Sequence, residues 1–203
     1  MSFIDRGKWP VTSIAGVRVI IFYCFFTFAS IVFFQNPWSP WPYLSDFGNT
    51  VYNPGGAVLY NLGCILTGLM LFPFYIGLYK WYGKESWRKV LIIITQIVGL
   101  ASGFALMMIG VFNENYGAPH HLWSTVFFML NLGVLILANI SLLTHPKFIK
   151  LIAVYGFIVA VVNLALVVLP SSSIIEWFTV FTALGYAGLL TINMVKAFPA
   201  GKK

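Results

Sequence analysis

The sequence is poor in charged residues, and acidic residues are the scarcest of them. Only 8% of its 203 residues are charged, and only five are Asp or Glu, whereas about 25% of the residues in a soluble domain are charged. The composition is otherwise apolar, with 60% hydrophobic and 18% aromatic residues. Such a chain cannot present the charged surface of an ordinary soluble domain, so the composition indicates an integral membrane protein.

Basic residues are absent from long parts of the chain, and this absence predicts a topology. Every Lys and Arg lies in one of the segments 1–18, 80–89, 147–150 and 196–203. The apolar runs between these segments are long enough to cross a bilayer core of roughly 30 Å. Because Lys and Arg accumulate on the cytoplasmic side, we expect a plasma-membrane protein with both termini in the cytoplasm. The net charge of +7 therefore reflects topology, and no nucleic-acid partner is expected.

These patterns predict an all-α fold, a single domain of six transmembrane helices in one bundle. The apolar runs place the helices at about 13–34, 55–79, 90–112, 120–143, 151–169 and 174–194. We expect the first run to be a retained span, because it is too long for a removable signal peptide and lacks a small-residue cleavage site. Gly99 and Gly103 have the small-xxx-small spacing that lets helices approach closely. Asn53 followed by Pro54 is typical of the N-cap and first position of a helix.

The sequence also lacks the motifs of several functional classes. Cys24 and Cys64 both lie inside apolar runs, where packed thiols are expected rather than a disulfide or a metal pair. There is no HExxH or other spaced metal motif and no nucleotide-binding loop. No carboxylate lies at the mid-membrane depth where proton- or sodium-coupled transporters need one, and the histidines cannot provide opposed haem ligands. We therefore expect no metal and no cofactor.

The longest polar interruption of the apolar pattern is segment 40–56, called here the 40–56 loop. It contains Asp46, one of the few carboxylates, together with Tyr43, Ser45 and Asn49. Trp38 and other aromatic residues in or beside the loop are expected at the membrane interface, where amphipathic rings settle. The loop is therefore predicted to cover the outer end of the helix bundle.

A second group of polar residues lies at the start of the predicted fourth helix. At 100° per residue, one polar stripe of this helix holds His120, Ser124 and Asn131, and a second holds His121, Thr125 and Asn139. Because polar side chains avoid lipid, two stripes predict a helix that is buried on both flanks.

The outer polar residues together predict a ligand site, with Asp46 and His121 as its principal polar groups and Glu114 as a secondary one. The candidate binding residues are Tyr43, Ser45, Asp46, Asn49, Glu114, His120, His121 and Asn131. The alternative for Asp46 is a turn that satisfies its own backbone, and one residue can do both. The alternative for His120 and His121 is that they are ordinary interfacial residues. Glu114, in its alternative interpretation, and Glu176 are expected to be plain outer-face charges, and His145, beside Lys147, a solvated inner residue.

Several short motifs resemble those of a known family. The segments 43–48, 53–54 and 59–63, and His121 followed by Ser124, Thr125 and Phe127-Phe128, resemble the pattern of the prokaryotic membrane proteins catalogued as domain of unknown function 998. More distantly, the chain is similar to the Frag1/DRAM/Sfk1 group, which has a comparable Ser-Asp-x-Gly loop and a His opening a later helix. The first family has no established activity, and the second is associated with phospholipid and glycolipid-anchor handling and with autophagy. The resemblance implies Ser45, Asp46, Gly48 and His121 as the matching positions, with His120 as the alternative histidine.

Three functional hypotheses follow. The first is a non-catalytic or weakly catalytic protein that binds a membrane lipid headgroup or a small polar ligand beneath the 40–56 loop. The second is an intramembrane hydrolase or transferase that uses Asp46 and His121 as acid and base or as zinc ligands. The third is an accessory subunit with a membrane-protein partner. The sequence predicts no oligomeric state.

Overall fold

The structure, a computed structural model, describes residues 9–35, 38, 41–169 and 172–199. Residues 1–8 and Pro40, parts of segments discussed above, lie outside this description. Within it, six long helices follow one another: α1 Val11–Ile31, α2 Ala57–Ile76, α3 Ser86–Val111, α4 Ala118–Leu143, α5 Lys150–Val168 and α6 Ser173–Ala197. Each of them is long and apolar enough to cross a membrane, which confirms the predicted all-α fold with six spans.

The ends of the helices agree with the predicted ends to within four residues. The largest difference is at the start of α3, which begins at Ser86, because the basic residues before the apolar run are good helix formers and join the helix. The other notable difference is at the end of α2. Pro73 lies inside its last turns, and a 3-10 turn at Gly77–Trp81 continues it.

The six described helices pack in chain order into a ring, which α1 and α6 close by packing against each other. Small residues bring α2 and α3 together: a Cβ atom added at Gly103 would lie 3.0 Å from the carbonyl oxygen of Gly68. This contact confirms the predicted close approach at Gly103. Large apolar side chains such as Ile97 and Val161 are exposed on the outside of the ring, as expected for lipid contacts.

The ring has two different ends. The loop end is where α1 and α3 finish, and it carries the described part of the 40–56 loop (residues 41–56), residues 112–117 and the first turn of α6. The opposite end, called the basic end, carries residues 77–85 and 144–149 and the start of α1.

An aromatic cluster fills the basic end. Trp81 is fully buried there, and the rings of Phe148 and Phe198 meet it edge-on, with centroids 5.6 Å and 4.8 Å away. These contacts close the bundle at the basic end with apolar packing.

His145 belongs to the same cluster. It is only 8% exposed, and its ring centroid lies 5.0 Å from that of Trp81, so the prediction of a solvated residue is wrong. Burial, together with the positive charges of Arg88 and Lys147, lowers the pKa of His145, which favours the neutral ring. The aromatic neighbour attracts the imidazole into the interior although the surrounding sequence is polar.

Candidate functional site

The described part of the 40–56 loop folds over the loop end of the bundle. Its 3-10 turn, Ser45–Gly48, buries Phe47 completely, and Leu44 just before the turn is equally buried. Asp46 stabilises this turn, because its Oδ2 accepts a hydrogen bond from the backbone N–H of Tyr43 at 2.7 Å. Asp46 therefore has the local backbone role that the sequence left open, and its role in binding stays a prediction.

Asn53 fastens the loop to the end of α1. Its side-chain Nδ2 donates to the carbonyl oxygen of Phe47 at 2.9 Å and to Oγ of Ser30 at 2.8 Å. Its Oδ1 accepts from the backbone N–H of Gly56 at 3.1 Å. The prediction of Asn53 as the N-cap of α2 is wrong by three residues, because this side chain closes a turn before the helix, whose N-cap is Gly56.

The loop at Glu114–Tyr116 is tied to the 40–56 loop by amide side chains. Asn115 accepts a hydrogen bond from the backbone N–H of Thr50 at 2.9 Å and donates one to Oδ1 of Asn49 at 3.1 Å. Asn49 in turn donates to Glu114 through an Nδ2 to Oε2 contact of 3.4 Å. Asn49, a predicted binding residue, thus holds the two loops together.

Three carboxylates gather at the loop end within the described part of the chain. Asp46 lies close enough to Glu114 to influence its pKa, and Glu176 interacts electrostatically with both. Burial, followed by the neighbouring charge of Asp46, raises the pKa of Glu114 to about 7. At neutral pH Glu114 is therefore divided between its protonated and ionised forms.

Glu176, in the first turn of α6, points into the bundle and lines its central cavity. Its Oε2 accepts a hydrogen bond from the backbone N–H of Leu44 at 3.0 Å. The next residue strengthens the same connection, because Nε1 of Trp177 donates to the carbonyl oxygen of Pro42 at 2.9 Å. The prediction of Glu176 as an outer-face charge is therefore wrong, since the rotation of α6 turns its carboxylate towards a backbone donor of the 40–56 loop.

The central cavity lies inside the ring, beneath the 40–56 loop, and has a volume of about 100 Å³. Its wall is mainly aliphatic and aromatic and comes from α1, α2, α3, α4 and α6. Along α6 the wall extends from Glu176 to Leu190, which is about 21 Å at 1.5 Å per residue. Ser45 joins Glu176 at the loop end of the cavity, which is called its mouth here, so the cavity is narrow and apolar with polar groups at its mouth.

Two buried hydroxyl groups line the cavity without a protein partner. Thr67 on α2 is 2% exposed and Ser102 on α3 is 1% exposed. Neither hydroxyl oxygen has a hydrogen-bond partner among the described residues. An unsatisfied buried hydroxyl costs about 1–3 kcal/mol, so these groups favour a bound molecule that supplies a polar partner.

Two tyrosines lie between the mouth and these hydroxyl groups. The phenol oxygens of Tyr23 and Tyr60 are 3.4 Å apart, and both residues line the cavity. Because each hydroxyl can donate and accept, the pair can turn one hydrogen towards a ligand without leaving the other oxygen unsatisfied.

His120, and not His121, is directed into the bundle. Its Nδ1 lies 2.9 Å from the carbonyl oxygen of Phe112, and its Nε2 lies 3.3 Å from Oγ of Ser124. Because a carbonyl oxygen only accepts, Nδ1 carries the proton, and Nε2 of the neutral ring accepts from the Ser124 hydroxyl. Ser124 lines the cavity, and its oxygen keeps lone pairs for a donor. His121 is exposed, and its role in binding stays a prediction.

The two polar stripes predicted on α4 differ in their surroundings. Ser124 and Asn131, from the first stripe, line the cavity. In the second stripe, Asn139 is fully buried and accepts from the Tyr186 hydroxyl at 3.0 Å, but Thr125 is exposed. The prediction of burial on both flanks is therefore wrong near the loop end, where polar side chains can reach the membrane interface.

The structure thus divides the predicted binding residues into groups. Asp46, Asn49 and Glu114 come together at the loop end, and Ser45 and Asn131 line the cavity. Tyr43 contributes its backbone N–H to the turn, and His120 orients Ser124. The sequence pattern did not predict the cavity residues Tyr23, Tyr60, Thr67, Ser102 and Glu176. For the hydroxyl residues a signal existed, because each interrupts an apolar run.

The acidic residues of the loop end do not form a preformed metal site. Across the described ranges, no group of three His, Cys, Asp or Glu side chains could hold a metal ion. Cys24 and Cys64 are free thiols, as their positions inside apolar runs predicted.

Comparison with curated proteins and with solved structures found no match. The sequence profile of a family described as a protein of unknown function (DUF998) matches residues 13–193. That range includes the residues of the loop end and the cavity wall and nearly all of α1 to α6. The chain therefore belongs to the DUF998 family.

Proposed function

We propose that this DUF998 protein binds an amphiphilic molecule, a lipid or a lipid-like ligand, in its central cavity. The polar end of the ligand lies at the mouth beneath the 40–56 loop, and its hydrocarbon part follows the apolar wall. The observation that carries this proposal is a narrow apolar cavity with Ser45 and Glu176 at one end. Ligand pockets have this composition, mainly apolar with a few polar groups that fix orientation.

The unpartnered hydroxyl groups of Thr67 and Ser102 give independent support. A cavity that only reflected imperfect packing between helices would be lined by apolar groups, because a buried hydroxyl without a partner costs free energy. A ligand that carries a second polar group at this depth, in addition to its polar end at the mouth, would recover that free energy.

In this proposal the loop end faces the outside of the plasma membrane, and both termini are cytoplasmic. The basic residues support this orientation, because residues 19–79, 90–146 and 151–195 contain no Lys or Arg and positive residues favour the cytoplasmic side. The cavity mouth then lies at the outer leaflet.

The hydrolase or transferase hypothesis has less support from the geometry. His121 is exposed, and the Asp46 side chain accepts a hydrogen bond from the backbone N–H of Tyr43 in its own turn. The accessory-subunit hypothesis also stays a prediction.

Native mass spectrometry of the protein extracted in a mild neutral detergent tests the proposal. Ala183 lines the cavity, so Ala183→Leu fills part of it, while Ala101→Leu adds the same atoms on an exposed surface of α3. We expect the wild type and Ala101→Leu to retain a noncovalently bound lipid and Ala183→Leu to lose it. Equal lipid retention in the two variants, or none in the wild type, would contradict the proposal. Thermal unfolding of both variants confirms that they are folded.

A further inference from the structure

Thr67 and Ser102 lie at nearly the same depth in the cavity wall, on neighbouring helices. Each is followed by a glycine where α2 and α3 cross, since a Cβ atom added at Gly103 would lie 3.0 Å from the carbonyl oxygen of Gly68. Because each hydroxyl residue is one position from this crossing, the two differ in depth by only about 3 Å at 1.5 Å per residue. Two helices thus place a pair of hydroxyl groups at one level of the cavity that both residues line.

The two hydroxyl groups are available to a molecule in the cavity. A Ser or Thr hydroxyl within a helix can bond the carbonyl oxygen four residues earlier, as Thr95 does with Leu91 at 2.8 Å. Thr67 and Ser102 do not do so, and their hydroxyl oxygens have no partner among the described residues. Both residues are at least 98% buried, so lipid and bulk water outside the bundle do not reach them.

Asn131 on α4 adds a third polar group near this depth. A Cβ atom added at Gly133 would lie 3.6 Å from Cγ1 of Val98, so these two residues share one level. Val98 lies about 6 Å closer to the basic end than Ser102, and Asn131 lies about 3 Å closer to the loop end than Gly133. Asn131 is therefore about 3 Å in depth from Ser102, and its side chain also lines the cavity.

An uncharged oxygen is the group that suits this level of the cavity. The chain has no Lys or Arg in residues 19–79, 90–146 and 151–195, and its carboxylates there are Asp46, Glu114 and Glu176, which lie at the loop end. A charged group among the hydroxyls would therefore be buried without a counter-charge, which is costly. A carbonyl oxygen can accept from both hydroxyls, and a hydroxyl group can accept from one and donate to the other.

The size of the cavity and the depth of the two hydroxyls define a short ligand. A volume of about 100 Å³ is smaller than the engineered cavity of about 150 Å³ that holds one benzene molecule, so it admits about six non-hydrogen atoms. The turn Ser45–Gly48 lies at the level of Tyr60, because a Cβ atom added at Gly48 would be 3.0 Å from Cδ1 of that ring. Thr67, seven residues further along α2, is about 10 Å deeper.

A short chain can connect these two levels. Six non-hydrogen atoms in an extended chain are about 6 Å long, and a hydrogen bond of about 2.8 Å at each end extends the reach to about 12 Å. Such a molecule can bond the groups at the mouth and the deeper hydroxyls at the same time.

We propose that the ligand is a short amphiphile with a polar group at each end. One end lies at the mouth beside Ser45 and Glu176, and the other is an uncharged hydroxyl or carbonyl oxygen that hydrogen-bonds with Thr67 and Ser102. This inference rests on the binding function proposed above and adds the length of the ligand and the chemistry of its inner end.

Two probes of equal size test the inference. 1,4-Butanediol and 1-pentanol each have six non-hydrogen atoms, and they differ in whether the second end is a hydroxyl or a methyl group. Their affinities for the delipidated protein in a neutral detergent follow from the rise in unfolding temperature with probe concentration. We expect the affinity ratio of the diol to pentanol to be about fivefold higher for the wild type than for the double variant of Thr67→Val and Ser102→Ala, as one neutral hydrogen bond implies.

The comparison between the two proteins isolates the hydroxyl groups, because partition of the probes into the detergent is the same for both. Thr95→Val is the matched control, since it removes a buried hydroxyl of α3 that already has a partner, and it should keep the ratio of the wild type. Ala183→Leu, which fills part of the cavity, should weaken the binding of both probes.

The outcomes separate the two proposals. An equal affinity ratio in the wild type and the double variant would overturn the inference, and it is the result expected if ordered water already satisfies the two hydroxyls. If pentanol binding in that case is still weakened by Ala183→Leu, the binding function stands. Binding of neither probe to the wild type would also overturn the inference, and lipid retention by the wild type and Ala183→Leu would then decide the binding function separately. A diol preference that survives Ala183→Leu at full strength would place the probe outside the cavity and overturn the inference.

Discussion

The loop end and the basic end of this bundle are held together by different interactions. At the loop end, Asn53, Asn115 and Glu176 join separate segments through hydrogen bonds to backbone groups. At the basic end, aromatic rings pack around Trp81, and the ion pair between Arg88 and Glu85 lies beside them, with Nη1 2.7 Å from Oε2. The bundle is therefore closed by apolar packing at one end and covered by a hydrogen-bonded loop at the other.

This difference explains where a ligand site can form. Apolar packing is non-directional and fills space to high density, so the basic end has little room for a ligand. Hydrogen bonds between loops and helix ends have defined directions, so they can hold a polar cover above a cavity without filling it. Function is therefore expected at the loop end and stability from both.

The largest effect is expected from breaking the basic end with Trp81→Ala. Trp81 is fully buried, and loss of a buried Trp side chain costs about 3–5 kcal/mol through the cavity that it leaves. The free energy of unfolding in detergent measures the effect. Trp87→Ala is the matched control, because Trp87 is 47% exposed, and a similar loss in both variants would show that the aromatic cluster does not hold this end.

Breaking the loop end with Asn53→Ala is expected to cost less, about 2–3 kcal/mol, because buried backbone groups of the loop lose their partners. The variant should also weaken lipid retention, since the cover of the cavity loses its attachment to α1. Unfolding and native mass spectrometry measure the two effects. Asn115→Ala removes contacts of an exposed residue and serves as the control. An Asn53→Ala protein as stable as Asn115→Ala would contradict the proposed role of this residue.

The hydroxyl groups of the cavity wall provide a further comparison with the loop end. Removing them is expected to raise the stability of the protein, whereas removing a hydroxyl of the loop end is expected to lower it. With the ligand removed, the double variant of Thr67→Val and Ser102→Ala is expected to gain about 1 kcal/mol in stability, because unsatisfied buried hydroxyls are lost. Ser30→Ala should lose stability, since its hydroxyl donates to the carbonyl oxygen of Gly56 at 2.8 Å. Unfolding of delipidated protein distinguishes these cases. A loss in the double variant would mean that the hydroxyls already have partners.

The smallest effect is expected from the titration of Glu114. Its pKa rises from an ordinary value of 4.5 to about 7 in the folded protein, so the folded state binds the proton more tightly than the unfolded state. Stability should therefore decrease as the pH rises from about 4.5 to about 7 and then level off. Glu114 is only partly buried, which reduces the expected change to about 1 kcal/mol.

Glu114→Gln should flatten this pH dependence and make the protein more stable than the wild type at pH 8. Unfolding measured between pH 4 and pH 8 tests it. If the stability of the variant and that of the wild type depend on pH in the same way, the pH dependence arises from another group. Such a result would contradict the raised pKa of Glu114 beside Asp46.

The sequence predicted part of the loop end as well as the helices. Asp46, Asn49 and Glu114 were expected near one another, because scarce polar residues in two loops on the same side of a membrane have few other places to go. Their contacts agree with that expectation. The prediction was less successful for side chains at the start of a helix: Glu176 points inwards, and His120, rather than its neighbour His121, is buried.

The number, order and approximate ends of the spans follow from the chain alone. Crossing a hydrocarbon layer requires about 20 consecutive apolar residues per helix, and each such run can be recognised without knowledge of the rest of the fold. The direction in which each side chain points does not follow from the chain alone, because it depends on the rotation of each helix within the ring. Packing brings Thr67 and Ser102 from different helices to one cavity and leaves both without a partner among the described residues. It also turns Glu176 towards Leu44, 132 positions away along the chain. Partners so distant in sequence are chosen by the fold, and the proposed ligand site consists of such partners.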